Sequence, residues 1–429
     1  MKIINSNSKE LLSDLMNRSQ LDNTSEQSSV DEILKKVRAE GDSALYYYTN
    51  KLDKVDLSND GMLVSKEEID EAYGMLDDKI KETIIQAADN IKAFHQMQKR
   101  DGFTMNLEGG YIGQRIIPME RVGVYVPGGR AAYPSTVLMN VIPAQIAGVG
   151  EIIMCTPPMS DGKVYYMTLA TARIIGVDKI YKVGGAQAVG AMAFGTQSIP
   201  RVAKIVGPGN IYVALAKKSV YGYVGIDMVA GPSEVLIIAD ENANSKYVAA
   251  DLLSQAEHDP MAAAILVTTS KKLADEVSTE VDKQIEYLKG TKENALQSIK
   301  NCSGIILVND IEQGIKISNE IAPEHLELAV DSPEKYLDKI INAGSVFLGH
   351  YSPEPLGDYF AGPNHVLPTS STARFSSPLG VDDFVKRSSV IYYSKEKLKS
   401  VYKDIDSFAR LEGLDAHANS VSIRFSEGE

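Results

Sequence analysis

Hydrophobic residues are spaced differently in the first hundred positions of the chain and in the rest of it. In the first part, apolar residues recur every three or four positions, which predicts amphipathic helices at 8–17, 30–39 and 65–100. Ser65 and Glu68 form a capping box at the start of the last of these helices. The amino-terminal part is therefore predicted to be helical.

From residue 121 the chain alternates between short apolar runs and helix-like stretches. The runs are rich in β-branched residues and read RVGVYVPGG, EIIMCTPP, KIYKVGG, AKIVGPGN, EVLIIAD, AAAILVTT and SGIILVND. The helix-like stretches cover 136–147, 164–175, 185–195, 211–221 and the charged segment 271–299. This alternation predicts an α/β fold with parallel sheets and crossover helices. The polar tail after about residue 377 is predicted to be helical.

Composition and charge exclude several classes of protein. With 429 residues, 44% of them hydrophobic and 24% charged, the chain is typical of a globular protein of two to four domains. The net charge of −13 argues against nucleic acid as a partner, since phosphate binding needs clustered Lys and Arg. The first residues are polar and no window approaches about 18 consecutive apolar residues, so we expect neither a signal peptide nor a membrane span. A cytoplasmic location is the expectation.

The two cysteines, Cys155 and Cys302, are far apart in the sequence and form no CxxC pair. A disulfide framework and a thiolate zinc site are therefore excluded. Neither cysteine has a neighbouring His, Lys or helix start in the sequence that would lower its pKa. Both are interpreted as structural.

Three glycine-rich segments follow predicted strands and open predicted helices. They are VYVPGGRAAYPS (124–135), VGGAQAVGAMAFG (183–195) and VGPGNIYVALAKK (206–218). Such turns expose backbone N–H groups at a helix start, which favours phosphate binding, although any one of them alone is as consistent with an ordinary turn. None matches GxGxxG, because Tyr212 stands where the third segment would need its last glycine. Together they favour a nucleotide site of unusual form.

The segment SQAEHDP ends a run of helix formers with two possible ligands. Gln255 and His258 are three residues apart and share a helix face, whereas Glu257 points elsewhere. The pair is consistent either with a binding site or with a satisfied helix end. The six histidines of the chain show no HExxH pattern, so any metal site would combine distant segments.

The segment APEHLEL places Glu324 and His325 side by side after Pro323. Proline and glutamate are typical of a helix start, but histidine is not. An acid and an imidazole at a loop–helix junction could supply two proton-transfer groups to one pocket. Both interpretations are open at this stage.

Two later segments carry further polar candidates. GHYSPEPLGDYFAGPNHVLPTS (349–370) is a long Gly/Pro-rich loop with Asp358 and His365, and such length is usually functional. LEGLDAHANS (411–420) places Glu412 and His417 five apart, in a tail where a solvated helix end is the simpler interpretation.

Taken in order, these segments resemble the histidinol dehydrogenase family over about residues 25–420. The resemblance rests on VYVPGG, STVLMN, GGAQA, KIVGPGN, AGPSEVLI, SQAEHDP, APEHLEL, GDYFAGPNHVLPT and GLDAHA. The first 25 residues and residues 271–300 match poorly. The resemblance implies NAD-dependent oxidation of L-histidinol to L-histidine with one bound zinc per subunit, in a homodimer with shared active sites.

The resemblance also implies residue roles. Gln255, His258, Asp358 and His417 would bind the metal, with His417 coming from the partner subunit. The substrate would contact the four metal ligands and His325, together with Ser233 of GPSE and Glu412 from the partner's tail. Tyr125, Gln187 and Asn210, one in each glycine segment, would contact NAD. Glu324 and His325 would be the acid/base pair.

The fold implied by the resemblance is similar to that of aldehyde dehydrogenases, with two incomplete Rossmann-like α/β domains and small helical extensions at both ends. The expected segments are an N-terminal helical arm (1–22), the first α/β domain in two parts (23–128 and 235–376), the second α/β domain with the NAD loops (129–234) and a helical dimerisation tail (377–429).

Two other functions are compatible with such a fold. A cysteine-dependent aldehyde dehydrogenase would need an activated Cys155 or Cys302 as its nucleophile. A nucleotide-binding protein without catalysis would have no use for the adjacent Glu324 and His325, nor for four candidate metal ligands.

Overall fold

A computed structural model describes residues 1–5, 24–58, 61–128 and 133–426. The predicted helix at 8–17 lies outside these residues. The chain forms two compact units, one comprising Met1–Gln98 and Met119–Phe384, the other Lys99–Pro118 and Val385–Glu429. Among the described helices, none is both long and apolar enough to cross a bilayer.

The strands form three sheets. In chain order they are β1 (Ile3–Asn5), β2 (Phe103–Leu107), β3 (Gly110–Pro118), β4 (Arg121–Tyr125), β5 (Glu151–Thr156), β6 (Ile180–Lys182), β7 (Lys204–Val206), β8 (Gly225–Ile226), β9 (Glu234–Ala239), β10 (Ala263–Thr268), β11 (Gly304–Leu307), β12 (His325–Ala329), β13 (Ser345–Leu348) and β14 (Val385–Tyr393).

The helices lie between these strands for most of the chain. They are α1 (Thr24–Glu40), α2 (Asp42–Tyr48), α3 (Lys66–Gly74), α4 (Asp78–Gln96), α5 (Pro134–Ala147), α6 (Tyr166–Ile174), α7 (Gly185–Phe194), α8 (Ile211–Val220), α9 (Ser245–Ala256), α10 (Lys271–Gln284), α11 (Lys292–Asn301), α12 (Ile311–Ile321), α13 (Glu354–Tyr359), α14 (Lys395–Lys399), α15 (Tyr402–Leu411) and α16 (Asp415–Ser422). A π-helical turn, Thr49–Asp53, continues α2.

The six-stranded sheet of the first unit is wholly parallel, in the order β1-β11-β10-β9-β12-β13. Every residue of β9, β10 and β12 is buried, which explains the nearly unbroken apolar sequences of β9 and β10. One apolar cluster beneath α9 and α10 and another beneath α12 cover the two faces. This sheet positions the residues of the candidate catalytic site.

The five-stranded sheet of the same unit is also parallel, in the order β6-β5-β4-β7-β8. Numbered within the sheet, this is the order 3-2-1-4-5 of a Rossmann-type unit, with its switch point between β4 and β7. Parallel sheets with crossover helices confirm the predicted α/β fold class, and the seven predicted strands and the helices at 136–147, 164–175, 185–195 and 211–221 are present.

The second unit contains a three-stranded antiparallel sheet in the order β14-β3-β2, followed by α14, α15 and α16. The prediction of a helical tail is wrong for residues 385–393, which form β14. Val385 pairs with Pro118 and Tyr393 with Gly110, so the strand depends on a partner about 270 residues away in sequence.

Two long predicted helices are interrupted. The segment 65–100 contains α3 and α4, because Asp77 begins a new helix by accepting a hydrogen bond from Lys79 N. Ser65 Oγ accepts from Glu68 N at 3.1 Å as a capping residue should, but the Glu68 carboxylate pairs with Lys182. The segment 271–299 likewise divides into α10 and α11.

Candidate active site

The pair Glu324–His325 lies at the amino-terminal edge of the six-stranded sheet, at the start of β12. The predicted helix after Pro323 does not form. Ala322 ends α12 in the left-handed conformation, and Pro323 O and Glu324 O then accept hydrogen bonds from Gly344 N and Ser345 N. Pairing with the chain entering β13 therefore makes this segment a strand, and both Glu324 and His325 are buried.

Backbone groups of Glu234, on the neighbouring strand β9, orient both side chains. Glu234 N donates to Glu324 Oε2 at 2.9 Å, and His325 Nδ1 lies 3.1 Å from Glu234 O. Because a carbonyl can only accept, the hydrogen of the neutral imidazole is on Nδ1, and Nε2 carries the lone pair. Nε2 is buried without a hydrogen-bond partner among the described residues. When the imidazole is neutral, Nε2 is therefore the nitrogen that can accept a proton.

The electrostatic setting of this pair is unusual. Burial raises the pKa of Glu324 to about 8, although the charge of His325 opposes the rise. Burial lowers the pKa of His325, but Glu324, Asp358 and Glu354 outweigh it and raise the pKa to about 10. A cation bound among these carboxylates would reduce their effect on the imidazole. Buried groups with such perturbed pKa values are typical of acid/base sites.

The carboxyl end of α9 returns to the same edge of the sheet. Gln255 is completely buried in its last turn, and neither amide atom has a hydrogen-bond partner within the described chain. His258 follows in the next turn and is exposed on one side. The protein groups around its imidazole exclude part of the solvent and lower its pKa, while the Asp358 charge opposes this. Glu257 accepts from Thr291 Oγ1 at 2.6 Å, so it points elsewhere as predicted.

Asp358 lies on α13, inside the segment that was predicted to be a loop. One ligating atom from each of His325, Glu354 and Asp358 lies within 4.8 Å of the other two. Burial would raise the pKa of Asp358, but His325 and His365 lower it to about 2. His365 Nδ1 donates to Asp358 O at 3.1 Å, and Ser254 Oγ on α9 donates to Glu354 Oε2 at 2.8 Å. The ends of α9 and α13 therefore meet beside His325.

Glu354 was not singled out from the sequence. It precedes Asp358 by four residues in SPEPLGDY, so the two share a face of the short helix α13. Its pKa is raised to about 7, mainly by burial. The spacing would have identified it if the segment had been predicted as a helix and not as a loop.

The remaining predicted site residues are in two places. Ser233 precedes β9, next to Glu234, and its carbonyl accepts from Ala263 N at 3.0 Å. Glu412, at the end of α15, and His417, on α16, are exposed residues of the second unit.

The donor set of the first unit fits a divalent cation. Imidazole nitrogen, carboxylate and amide oxygen are all known metal ligands. The strongest sign is Gln255, because burying an amide with both atoms unsatisfied is costly unless a further group supplies the missing interactions.

A separate cavity of about 630 Å³ lies at the carboxyl edge of the five-stranded sheet. The three residues predicted to contact NAD line it: Tyr125 at the end of β4, Gln187 in the first turn of α7, and Asn210. Asn210 Oδ1 caps α8 by accepting from Tyr212 N and Val213 N. The volume is in the usual range for small-molecule and cofactor sites.

The glycine segments approach one another closely around Tyr125. Gly185 N donates to the Tyr125 hydroxyl at 3.0 Å. Gly207 has φ of +115°, and a Cβ there would lie 2.1 Å from Tyr125 O. Only glycine fits at position 207, so the close contact between the third and first glycine segments requires Gly207.

Cys155 lies in β5 and is completely buried. Burial raises its pKa to about 12. A thiol in this state is a poor nucleophile, in agreement with the structural interpretation of this residue.

Comparison with known proteins gives a consistent result. The family model described as histidinol dehydrogenase matches residues 16–425. A histidinol dehydrogenase of Clostridium acetobutylicum is 54% identical over 398 residues, covering 92% of each chain, and one of Listeria monocytogenes serotype 4b is 53% identical over 100% of both. The crystal structure of histidinol dehydrogenase from Elizabethkingia anophelis is 42% identical, with a TM-score of 0.92 over 99% of this chain and 98% of that one. The chain belongs to the histidinol dehydrogenase family.

Proposed function

We propose that this protein oxidises L-histidinol to L-histidine through L-histidinaldehyde, using two NAD⁺, in the last steps of histidine biosynthesis. The observation that carries the proposal is the buried Glu324–His325 pair, whose available Nε2 faces the Asp358 cluster. Sequence identity of 53–54% to histidinol dehydrogenases along nearly the whole chain supports the proposal. The site places an acid and an imidazole beside candidate metal ligands. The acid and imidazole suit oxidation of an alcohol, and a bound metal would suit a substrate that carries an imidazole and an amine.

The metal is proposed to be one zinc per subunit, held by Gln255, His258, Asp358 and His417 of the partner subunit. The unsatisfied amide of Gln255 and the ionised Asp358 support this assignment. Bound zinc would supply a template that orients the imidazole and amine of the substrate.

His325 is proposed to act as the base in the first oxidation. Its Nε2 takes the hydroxyl proton while the carbinol carbon transfers hydride to the first NAD⁺, which produces the aldehyde and NADH. The hydrogen bond from Nδ1 to Glu234 O fixes the tautomer of the neutral imidazole, so that Nε2 is the nitrogen that takes the proton.

The second oxidation needs a tetrahedral carbon, so the aldehyde must first be hydrated. Glu324 is proposed to take a proton from the attacking water as the new C–O bond forms, while the carbonyl π bond breaks and its oxygen takes the proton that His325 gained in the first oxidation. His325 is thereby returned to its neutral form. His325 then removes a hydroxyl proton from the hydrate while hydride passes to the second NAD⁺. The overall balance is one histidinol, one water and two NAD⁺ giving one histidine, two NADH and protons, with Ser233 and Glu412 holding the substrate.

The nucleotide is proposed to bind at the glycine segments, with Tyr125, Gln187 and Asn210 in contact with it. The convergence of these residues on one cavity at the switch point of the five-stranded sheet supports this. Helix starts at α7 and α8 offer backbone N–H groups suited to the pyrophosphate.

A homodimer with shared active sites is part of the proposal. The second unit carries exposed large apolar residues, which are typical of an interaction surface. They include Phe103, Met105, Ile391, Phe408, Leu411 and Ile423. Glu412 and His417 are exposed in the same unit, as residues donated to a partner would be.

The test is an NADH assay on the purified protein with L-histidinol, accompanied by metal analysis. We expect two NADH for each histidinol consumed, and about one zinc per chain. Zinc-loaded, folded protein that reduces no NAD⁺ with either histidinol or histidinaldehyde would contradict the proposal and favour a nucleotide-binding protein without catalysis.

A further inference from the structure

The nucleotide cavity has a second wall that the glycine segments do not explain. Besides residues such as Gly128 and Gly185, the cavity is lined by α1, by the end of α2 and by the π-helical turn that follows, including Glu32, Tyr48 and Asp53. These residues come from the amino-terminal helices and lie outside the strand–helix units of the five-stranded sheet. The helices thus contribute polar groups to the cavity as well as covering the sheet.

Three polar atoms around this cavity have unmet hydrogen-bonding capacity. Tyr48 OH, Asp53 Oδ2 and Gln187 Oε1 are buried without a partner in the described part of the chain. Tyr48 and Gln187 are 3% and 1% exposed, and all three residues line the cavity. Unsatisfied buried polar groups at the wall of a cavity indicate a ligand with hydroxyl groups or other donors.

The part of the dinucleotide that binds here follows from the proposed function, on which this inference rests. The nicotinamide ring must reach the substrate beside His325. Neither His325 nor Glu324 is among the described residues that line the cavity. The cavity is therefore suited to the adenosine half of the cofactor.

In Rossmann-type units an acidic residue after the second strand accepts hydrogen bonds from the adenosine ribose. Here the second strand, β5, ends at Thr156 and is followed by Pro157 and Pro158, so the usual position has no acid. Both prolines line the cavity. An acid that binds the ribose must therefore come from another element.

Asp53 has the properties that this position requires. Burial raises its pKa to about 6, and its charge adds to the effect of burial in raising the pKa of Tyr125, so it lies near the first glycine segment. Glu32 adds a second acid to the same wall. The one cation among the described lining residues is Lys51, whose Nζ lies 5.7 Å from the centre of the Tyr47 ring.

We propose that Asp53 accepts hydrogen bonds from the ribose hydroxyls of the adenosine half and thereby determines preference for NAD⁺ over NADP⁺. A 2′-phosphate would remove one of these hydroxyl donors and bring additional negative charge next to Asp53 and Glu32. The ligand class is a dinucleotide with an unphosphorylated ribose.

The test measures binding of NAD⁺ and NADP⁺ by calorimetry, with KM and kcat measured alongside. For Asp53→Asn we expect the NAD⁺/NADP⁺ affinity ratio to fall by about tenfold or more, since a charged acceptor is lost. The kinetic effect should fall on KM for the nucleotide more than on kcat. Asp53→Glu, which keeps the charge, should still reject NADP⁺.

Asp56→Asn is the matched control. It removes the same charge as Asp53→Asn, but Asp56 is exposed and does not line the cavity. An affinity ratio in folded Asp53→Asn equal to that of Asp56→Asn would overturn the proposal, as would NADP⁺ binding by Asp53→Glu. Failure of the proposed function would look different, because a protein without histidinol turnover would still report its nucleotide preference by calorimetry.

Discussion

Lys217, within α8, is a buried lysine on which the third glycine segment depends. Its side chain is 2% exposed and that of its partner Asp227 is 1% exposed. Lys217 Nζ pairs with Asp227 and donates to Gly207 O at 2.9 Å, while Asp227 Oδ2 accepts from Gly207 N at 2.8 Å. The ion pair thus binds both backbone polar groups of the glycine that touches Tyr125.

We predict that Lys217→Met strongly destabilises the protein. Methionine retains much of the apolar stem but leaves Asp227 buried without its counter-ion and Gly207 O without its donor. Breaking a buried pair in this way costs about 3–5 kcal/mol. Against a typical unfolding free energy of about 5–15 kcal/mol, this is a large fraction. Adding Asp227→Asn removes the unpaired charge and keeps an acceptor for Gly207 N, so the double variant should regain part of the loss.

Urea unfolding followed by circular dichroism measures the effect, because the chain has no tryptophan. Lys218→Met is the matched control, since Lys218 is the next residue and is exposed. We also expect Lys217→Met to bind NAD⁺ more weakly, because Gly207 leads directly to Asn210. The reasoning is refuted if the free energy of unfolding of Lys217→Met is within about 0.5 kcal/mol of that of Lys218→Met, because a difference of that size is usual for surface substitutions.

Four further predictions concern the active site. Glu324→Gln should slow oxidation of histidinaldehyde by about 10²–10⁴-fold and oxidation of histidinol less, measured with each substrate supplied separately; a larger effect on the alcohol would contradict water activation by Glu324. Gln255→Ala should bind zinc about 10–100-fold more weakly by metal titration, and unchanged affinity would remove Gln255 from the ligand set. Cys155→Ala with Cys302→Ala should retain histidinol turnover, whereas its abolition would support a cysteine-dependent mechanism. Heterodimers of His417→Ala and Gln255→Ala subunits should regain activity over either parent, and no recovery in verified heterodimers would argue against shared sites.

Much of the fold could be predicted because burial leaves a local signature in the sequence. A parallel strand covered on both faces is apolar along its length, as EVLIIA is in β9, and a turn or cap marks its end. The crossover helices were predicted for the same reason.

Strand β14 shows where local signals end. Residues 385–393 lie in a polar, helix-rich tail, and only pairing with 110–118 makes them a strand. The segment at Pro323 is similar. A proline followed by an acid is typical of a helix start, but the hydrogen bond that Ser345 N donates to Glu324 O makes this segment part of a strand. In both cases the hydrogen-bond partner is distant in sequence, and tertiary packing overrides the local preference.

The candidate site divides along the same line. The sequence by itself determined which residue types were available and that Gln255 and His258 share a direction while Glu257 does not, because helix geometry is a property of a few consecutive residues. Only the tertiary structure decided that the ends of α9 and α13 meet at His325, that Glu354 joins them, and that Asp53 lines the cavity at the glycine segments. Those arrangements depend on how sheets and helices that are distant in sequence pack against one another. The free energy of burying many residues together controls that packing, and no short segment of sequence encodes it.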